Sequence, residues 1–280
     1  MTSAQPESVI ELRHLSGARA EINVYGATVT SFYAATEPDR NVLFVSKLAR
    51  LDGSKPIRGG IPPRVPRVRR GRWDAESRLC PSDETKKMYP YDVTLVYKVQ
   101  LLATELVTAL SVQNRSAHEI AFHALLHTYL AVDDVRCGRV RVERLGGVRY
   151  FDKVRPADDG NKVEQTDALT IDQETDRIYA DAPSSIVVRM QRGGDTSQQV
   201  VTIDKMACLS KSSTPTDAVA QKSDVVVWNP WVDKAKSMSD FGDDEYVTML
   251  CVEPGRVSEQ QPLAAGYTYT LQQKIRLSAL

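Results

Sequence analysis

The chain has 280 residues and 36 basic against 36 acidic side chains, so its formal net charge is zero. This balance excludes the strongly basic surface of proteins whose main partner is nucleic acid or an anionic membrane. Apolar runs stay short of the ~20 residues of a membrane span, and the N-terminus has no basic-then-apolar signal pattern. We therefore expect a cytoplasmic protein whose main partner is neither nucleic acid nor a membrane.

The cysteines support an intracellular location. Cys80, Cys137, Cys208 and Cys251 are scattered and form no Cys-x-x-Cys pair, which predicts reduced thiols and neither a disulfide framework nor a zinc site. The C-terminal tripeptide Ser278–Leu280 faintly resembles the peroxisomal Ser-Lys-Leu signal but lacks its basic middle residue. A peroxisome-like organelle is therefore the weaker alternative to the cytoplasm.

Alternation of apolar and polar residues predicts β-strands along most of the chain. A hairpin is expected where Val93–Leu101 turns near Ala103 into Leu106–Val112. Another strand follows Tyr267 to Leu277, with only Gln273 breaking its apolar set. The remaining predicted strands are Ala20–Val24, Val42–Val45, Phe122–Val132, Val140–Arg144, Ile186–Met190 and Val200–Ile203.

Helical periodicity is weak, and short helices are expected only at Ala235–Phe241 and in part of Thr214–Gln221. Many short strands separated by turn residues favour an antiparallel β-sandwich. No internal repeat or linker divides the sequence. We predict one all-β domain over residues 1–280.

Two early motifs carry polar residues that suit a binding site. Lys55–Pro62 reads KPIRGGIP, and its Arg58 precedes a Gly-Gly turn. The planar guanidinium donates two hydrogen bonds to one anion, although an ordinary exposed loop arginine is equally compatible with the motif. In FHALLHTYL, the side chains of His123, Leu125, His127 and Tyr129 share one face of the predicted strand. They line a concave site or a wet surface; a metal site is less favoured because no third ligand is evident at suitable spacing.

Two carboxylates complete the candidate set. In Asp224–Val257 the apolar run Val225–Trp228 ends at Asn229-Pro230, and a second run delivers Glu253 before Pro254-Gly255. A carboxylate held at a strand end by a turn is a candidate general base, and a strand-end glutamate facing water is the alternative. Asp176, in ETDRIY, would by itself belong to a solvated charge cluster.

Taken in order, RGGIP, LLHTY, ETDRIY and WNPW…CVEPG resemble the hexose-6-phosphate mutarotases of the aldose 1-epimerase superfamily. The resemblance implies a galactose mutarotase-like β-sandwich that interconverts the anomers of an aldohexose 6-phosphate, foremost glucose 6-phosphate. It implies no cofactor, no metal and a monomer. It gives catalytic roles to His127 and Glu253, phosphate binding to Arg58 and hydroxyl binding to Asp176.

The sequence departs from that family in segment 63–80. The family's Phe-Pro-x-Phe-Gly and His-Gly-Phe-Ala-Arg motifs are absent, and five arginines stand there, at 64, 67, 69, 70 and 72. We expect a solvated or disordered loop. A one-nucleotide shift of the family's Phe-Pro-x-Phe-Gly codons would give residues 64–69, and loss of the His-Gly-Phe-Ala-Arg motif would need a deletion or mis-spliced segment as well. The gene sequence tests this hypothesis. The alternatives are a catalytically impaired sugar-phosphate binder and a β-sandwich that binds a partner through the arginine run.

Overall fold

A computed structural model describes residues 9–65, 78–79, 91–155, 162–192, 198–211 and 217–279. Strands make up 54% of the structure and helices 5%, which confirms the predicted all-β class. Within the described ranges, no helix is long and apolar enough to cross a membrane.

The strands, in chain order, are β1 (Val9–Arg13), β2 (Arg19–Asn23), β3 (Thr28–Tyr33), β4 (Pro63–Arg64), β5 (Arg78–Leu79), β6 (Val93–Leu101), β7 (Glu105–Asn114), β8 (Ile120–Leu126), β9 (Tyr129–Ala131), β10 (Val140–Glu143), β11 (Arg149–Asp152), β12 (Lys162–Val163), β13 (Ala168–Leu169), β14 (Thr175–Tyr179), β15 (Ser185–Gln191), β16 (Gln198–Ser210), β17 (Val219–Gln221), β18 (Asp224–Asn229), β19 (Met249–Leu263) and β20 (Thr268–Ala279). Helix α1 covers Trp231–Lys236, and a 3₁₀ turn covers Glu245–Thr248.

Two large antiparallel sheets form the sandwich. The site sheet has the order β12-β11-β14-β18-β19-β8-β4, with β9 also paired to β19. The scaffold sheet has the order β13-β10-β15-β16-β20-β7-β6-β5, with β17 paired to β16. A third, small sheet is formed by β1, β2 and β3.

One apolar core joins all three sheets, because each large sheet turns one face inward. The cluster contains Val252 and Leu126 from the site sheet, Leu271 and Ile275 from the scaffold sheet, and Phe32 from the small sheet. Burial of such side chains is the main favourable term in folding. The outer face of the site sheet, which the core leaves free, is where polar side chains collect.

The strongest strand predictions are confirmed. Leu101 pairs with Leu106 at the hairpin between β6 and β7, and the Tyr269 to Leu277 alternation lies in β20. Gln273, the polar break in that pattern, is fully buried and donates a hydrogen bond of 2.8 Å to the Thr128 hydroxyl. The break therefore marks a polar contact between the two sheets.

Other boundaries differ from the predictions. The strand expected over Phe122–Val132 is divided at His127 and Thr128 into β8 and β9. Val42–Val45 makes only isolated bridges, at Leu43 and Val45. The short helix begins at Trp231, earlier than expected, because Pro230 suits a helix start and its fixed φ is −69°. Within Thr214–Gln221, the described end is strand β17.

The structure describes only one arginine of the run in segment 63–80. Arg64 lies in β4, half-buried, and the next residue, Val65, is buried in the core. This end of segment 63–80 is therefore ordered strand rather than the expected loop. The arginines at 67, 69, 70 and 72 and Cys80 lie outside the described residues.

Candidate active site

Strand register brings the candidate residues together on the outer face of the site sheet. Asp176 of β14 pairs with Trp228 of β18, Trp228 with Cys251 of β19, and Cys251 with Tyr129 of β9. Residues directly opposed across antiparallel strands point to the same side of a sheet. These four side chains therefore form one polar and aromatic row across four strands.

The neighbouring row holds the two predicted catalytic residues. Glu253 follows Cys251 by two positions and so lies on the same face, opposite Val226. β19 continues to Leu263, so Glu253 stands in mid-strand and not at the strand end that the sequence suggested. Pro254 does not end the strand because β19 stays paired there, Pro254 lying opposite Val225. The alternative of a water-facing glutamate is excluded by its burial, since only 1% of the residue is exposed.

His127 lies in the break between β8 and β9, directly beside Glu253. Its Nδ1 is 3.2 Å from Oε1 of Glu253. The two groups are not aligned for a hydrogen bond, and Nδ1 has no hydrogen-bond partner among the described residues. The imidazole stacks on the Tyr129 ring, with centroids 4.6 Å apart, and Trp228 meets both rings edge-on. Aromatic packing thus fixes the imidazole plane and leaves Nδ1 without a hydrogen-bond partner among the described residues.

Burial disfavours the charged form of both members of this pair. It lowers the pKa of His127 well below the ordinary value, and the positive charges of Arg64 and Arg58 act in the same direction. It raises the pKa of Glu253 well above the ordinary value, with the Arg64 charge opposing the shift. Without substrate, the two groups therefore favour a neutral imidazole facing a carboxyl group that keeps its proton to unusually high pH.

Asp176 lies two strands away from the pair, at the other end of its row. Its Oδ2 is 3.6 Å from Nζ of Lys153, and the backbone N–H of Lys153 donates to its carbonyl oxygen at 2.8 Å. Burial raises the pKa of Asp176, and the Lys153 charge opposes the rise. The sequence alone suggested a solvated cluster, but in the fold this carboxylate is a partly buried acceptor facing the site.

Arg58 begins the segment that runs beside His127. The carbonyl oxygen of Gly60 accepts from the Tyr129 N–H at 2.9 Å, and that of Pro62 accepts from the His127 N–H at 3.3 Å. Gly60 has a φ of +67°, and a Cβ there would lie 2.1 Å from the Val29 carbonyl oxygen. The Gly-Gly sequence is therefore needed because the backbone runs too close to its neighbours for any side chain.

The guanidinium of Arg58 is held in place by two contacts. Its Nε and Nη2 each lie 3.2 Å from an oxygen of Asp240, and its Nη1 donates to the Tyr129 hydroxyl at 3.5 Å. Tyr129 in turn stacks on His127. Arg58 is thus connected through a single residue to the imidazole, which orients a cation at the edge of the buried pair.

The sequence did not predict that three further residues lie near the site. Cys251 lies in the first row, Asp240 holds Arg58, and Arg64 stands opposite Leu125 on the face that carries His127. Strand alternation could have placed Cys251 on the face of Glu253, but Asp240 and Arg64 depend on long-range packing. His123 shares the face as predicted, yet four residues of strand separate it from His127 by roughly 13 Å.

Cys251 supplies the third metal-ligand type that the spacing did not show. Ligand atoms of His127, Cys251 and Glu253 all lie within 4.8 Å of one another. Burial, followed by the Glu253 charge, raises the pKa of the Cys251 thiol well above its ordinary value. A protonated thiol is a poor metal ligand, and the positive charges of Arg58 and Arg64 also act on this site. In the metal-free site this thiol is therefore a neutral group rather than a ligand.

Comparison with known proteins identifies the family. The aldose 1-epimerase family model matches residues 72–276. A protein of Cenchrus ciliaris named "Putative glucose-6-phosphate 1-epimerase" is 31% identical over 95% of this chain and 84% of its own. An Escherichia coli K12 protein of the same name is 27% identical over 93% of this chain and 87% of its own.

Solved structures share the fold. A Salmonella typhimurium protein whose structure is titled "putative mutarotase (YeaD)" superposes with a TM-score of 0.75 over 96% of this chain and 90% of its own, at 22% identity. A galactose mutarotase-like protein of Lactobacillus casei gives a TM-score of 0.64 over 96% of this chain and 100% of its own, at 14% identity. The family match, the relatives and the fold agree, and the chain belongs to the aldose 1-epimerase family as an isomerase that interconverts the anomers of an aldose.

Proposed function

We propose that the substrate is an aldohexose 6-phosphate, foremost glucose 6-phosphate, and that His127 and Glu253 are the acid–base pair. The observation that carries the proposal is this buried pair, 3.2 Å apart, with Arg58 held beside it through Tyr129. An enzyme that interconverts anomers needs one general acid and one general base. A cationic side chain next to them suits a substrate that carries a phosphate. The names of the curated relatives are consistent with this substrate.

The order of strands supports one orientation of the sugar. From β14 through β19 and β8 to the segment 58–64, the functional groups follow the order Asp176, Glu253, His127, Arg58. In a hexopyranose 6-phosphate, O1 and the ring oxygen O5 are both bonded to C1, and the phosphorylated C6 branches from the carbon next to O5. A sugar lying across the strands would place ring hydroxyls at Asp176, O1 at Glu253, O5 at His127 and the phosphate at Arg58.

The reaction then needs only proton transfers. Glu253, as carboxylate, takes the proton of the C1 hydroxyl while His127, as imidazolium, protonates O5 and the C1–O5 bond breaks. The open-chain aldehyde rotates about C1–C2, and ring closure on the other face of C1 returns both protons. Each anomer is converted without a covalent enzyme intermediate or an external electron acceptor.

The protonation states fit this cycle because the pair needs one proton in total. A neutral imidazole beside a protonated carboxyl group and an imidazolium beside a carboxylate differ only by transfer of that proton across the 3.2 Å contact. Arrival of a phosphate dianion near His127 favours the imidazolium form because opposite charges attract. Substrate binding would thereby switch the pair into its reactive state.

The substrate proposal is tested with Arg58→Gln on freshly dissolved α-glucose 6-phosphate and α-glucose. We expect the KM for glucose 6-phosphate to rise about 10- to 100-fold, since a charge-assisted contact is lost, while kcat/KM for glucose changes little. Arg141→Gln is the matched control because Arg141 lies exposed on the scaffold sheet. Equal loss with both sugars would overturn phosphate binding by Arg58, and no acceleration by the unaltered protein would overturn the substrate.

We further propose that the protein acts as a monomer in the cytoplasm without a cofactor. The balanced charge, the scattered cysteines and the motif resemblance support this. Light scattering during size-exclusion chromatography tests the monomer, and assay after exhaustive dialysis against a chelator tests independence from metal.

A further inference from the structure

Cys251 has no part in the acid–base chemistry, although it occupies the centre of the site. It precedes Glu253 by two residues on β19 and so faces the same side of the sheet. The residue is fully buried, and its Sγ lies within 4.8 Å of ligand atoms of both His127 and Glu253. His127 Nδ1, in the same cluster, is a buried nitrogen without a hydrogen-bond partner.

The chemistry of this thiol is that of a neutral donor. Burial, followed by the Glu253 charge, holds its pKa well above the ordinary value, so the sulfur keeps its proton at neutral pH. A buried thiol is neither a nucleophile nor a ready metal ligand in this state. It can still donate a weak hydrogen bond to a carboxylate.

Glu253 has few other groups that could hold it. The charges of Arg64, Asp176 and Lys153 act on its carboxylate, and the Cys251 sulfur lies within 4.8 Å of a carboxylate oxygen. Among the described residues, His127 is the only basic side chain within ion-pairing distance, and that contact is poorly aligned. The thiol is therefore the adjacent group that can orient the carboxylate without carrying a charge.

We propose that Cys251 is a positioning residue for the reaction, and that its thiol donates a hydrogen bond that orients the Glu253 carboxylate toward the C1 hydroxyl. The role in the reaction rests on the proposed function. A correctly oriented base gains in rate because less reorganisation is needed in the transition state. An uncharged donor also avoids the strong ion pair that would make the carboxylate a weaker base.

The opposing explanation is packing alone. Cys251 belongs to a small apolar cluster with Phe44, Phe241 and Met249, and a small side chain of any kind would fill that space. Cys251→Ala and Cys251→Ser separate the two explanations, because both are small but only serine donates. Cys208→Ala is the control, since Cys208 is a half-buried thiol in the scaffold sheet.

We expect Cys251→Ala to lower kcat for α-glucose 6-phosphate about tenfold with little change in KM, the size expected for loss of a weak hydrogen bond to a charged group. The thiol donor lowers the pKa of Glu253, so its removal moves the acidic limb of the kcat–pH profile to higher pH. Cys251→Ser should recover most of the rate and the original limb. Cys208→Ala should change neither.

A measurement that does not depend on activity completes the test. The Glu253 side-chain carboxyl carbon is followed by ¹³C NMR during a pH titration of the unaltered protein, Cys251→Ala and Cys251→Ser. A higher midpoint in the alanine variant that serine reverses supports the proposal. Identical midpoints, or equal kcat losses in alanine and serine variants, overturn it. Failure of the unaltered protein to accelerate anomerisation would overturn the proposed function separately.

Discussion

Two buried clusters of ionisable residues in this protein differ in how completely they are hydrogen-bonded. Lys205 and Asp224 lie beside the core, 6% and 0% exposed, and their hydrogen bonds are complete. The ammonium of Lys205 donates to Ala182 O, Ser223 O and Ser223 Oγ at 2.7–2.8 Å. The Asp224 carboxylate accepts from three backbone N–H groups at 2.8–3.0 Å. Near the middle of the site sheet, the side chains of His127 and Glu253 are 13% and 2% exposed but poorly paired.

The difference separates structural charge from catalytic charge. A buried charge that has all its partners stabilises one conformation and leaves nothing for a ligand. A buried pair with unused donors and acceptors destabilises the empty protein and is ready to bind substrate atoms. Asp224 begins β18, and Glu253 lies opposite Val226 of the same strand, so the two kinds of charge are close neighbours that differ in hydrogen-bond completeness.

The largest expected effect on kcat comes from replacing either member of the poorly paired set, His127 or Glu253. Glu253→Gln and His127→Ala should each lower kcat for glucose 6-phosphate by about 10²- to 10⁴-fold, the contribution typical of a positioned acid or base. Circular dichroism should show folded protein in both cases. A variant with the rate of the unaltered protein would remove that residue from the mechanism.

The converse change disrupts the fully hydrogen-bonded cluster of Lys205 and Asp224. Lys205→Met leaves three buried acceptors without a donor, so we expect the free energy of unfolding to fall by about 2–4 kcal/mol. The anomerisation rate of the folded fraction should stay unchanged. Urea denaturation combined with the rate assay measures both, and a loss of kcat without loss of stability would contradict the structural role.

Glu253→Gln should also stabilise the protein in a pH-dependent way. Burial raises the folded-state pKa of Glu253, so the stability contributed by its protonated form is complete below the unfolded pKa and is lost as pH rises through the folded pKa. Glutamine does not ionise. The variant's stability relative to the unaltered protein should therefore increase between pH 5 and pH 8, by on the order of 1 kcal/mol. Thermal unfolding at the two pH values tests this, and a constant difference would show that burial does not strain the carboxylate.

The smallest effect is expected at Tyr129. Tyr129→Phe keeps the stack on His127 but removes the hydroxyl that accepts from Arg58 at 3.5 Å. At that length the hydrogen bond is weak, so KM for glucose 6-phosphate should rise only about two- to fivefold. Steady-state kinetics with glucose as the comparison substrate would detect the change, and a large fall in kcat would mean that the hydroxyl acts in the chemistry.

Local sequence patterns predicted much of the fold. Alternation located β6, β7 and β20 because side chains in a half-buried strand alternate between core and solvent. It failed at His127 and Thr128, where pairing with the segment 58–64 interrupts the strand, and at Pro254, which remains paired inside β19. Both failures come from contacts between residues far apart in sequence.

The site was predictable in its residues but not in its contacts. Motif resemblance singled out Arg58, His127, Asp176 and Glu253, and the fold places all four on or beside the same sheet face. The ion pair between Arg58 and Asp240 joins residues that are 182 positions apart in the sequence. No local pattern reveals such a contact, because it depends on which loops the finished sandwich brings together.

The most direct test is the conversion of freshly dissolved α-glucose 6-phosphate to its equilibrium mixture, followed by NMR for the unaltered protein, Glu253→Gln and Lys205→Met. We predict clear acceleration by the unaltered protein and by Lys205→Met, and a rate close to the uncatalysed one for Glu253→Gln. Equal acceleration by Glu253→Gln and the unaltered protein would contradict the assignment of catalysis to the unsatisfied pair.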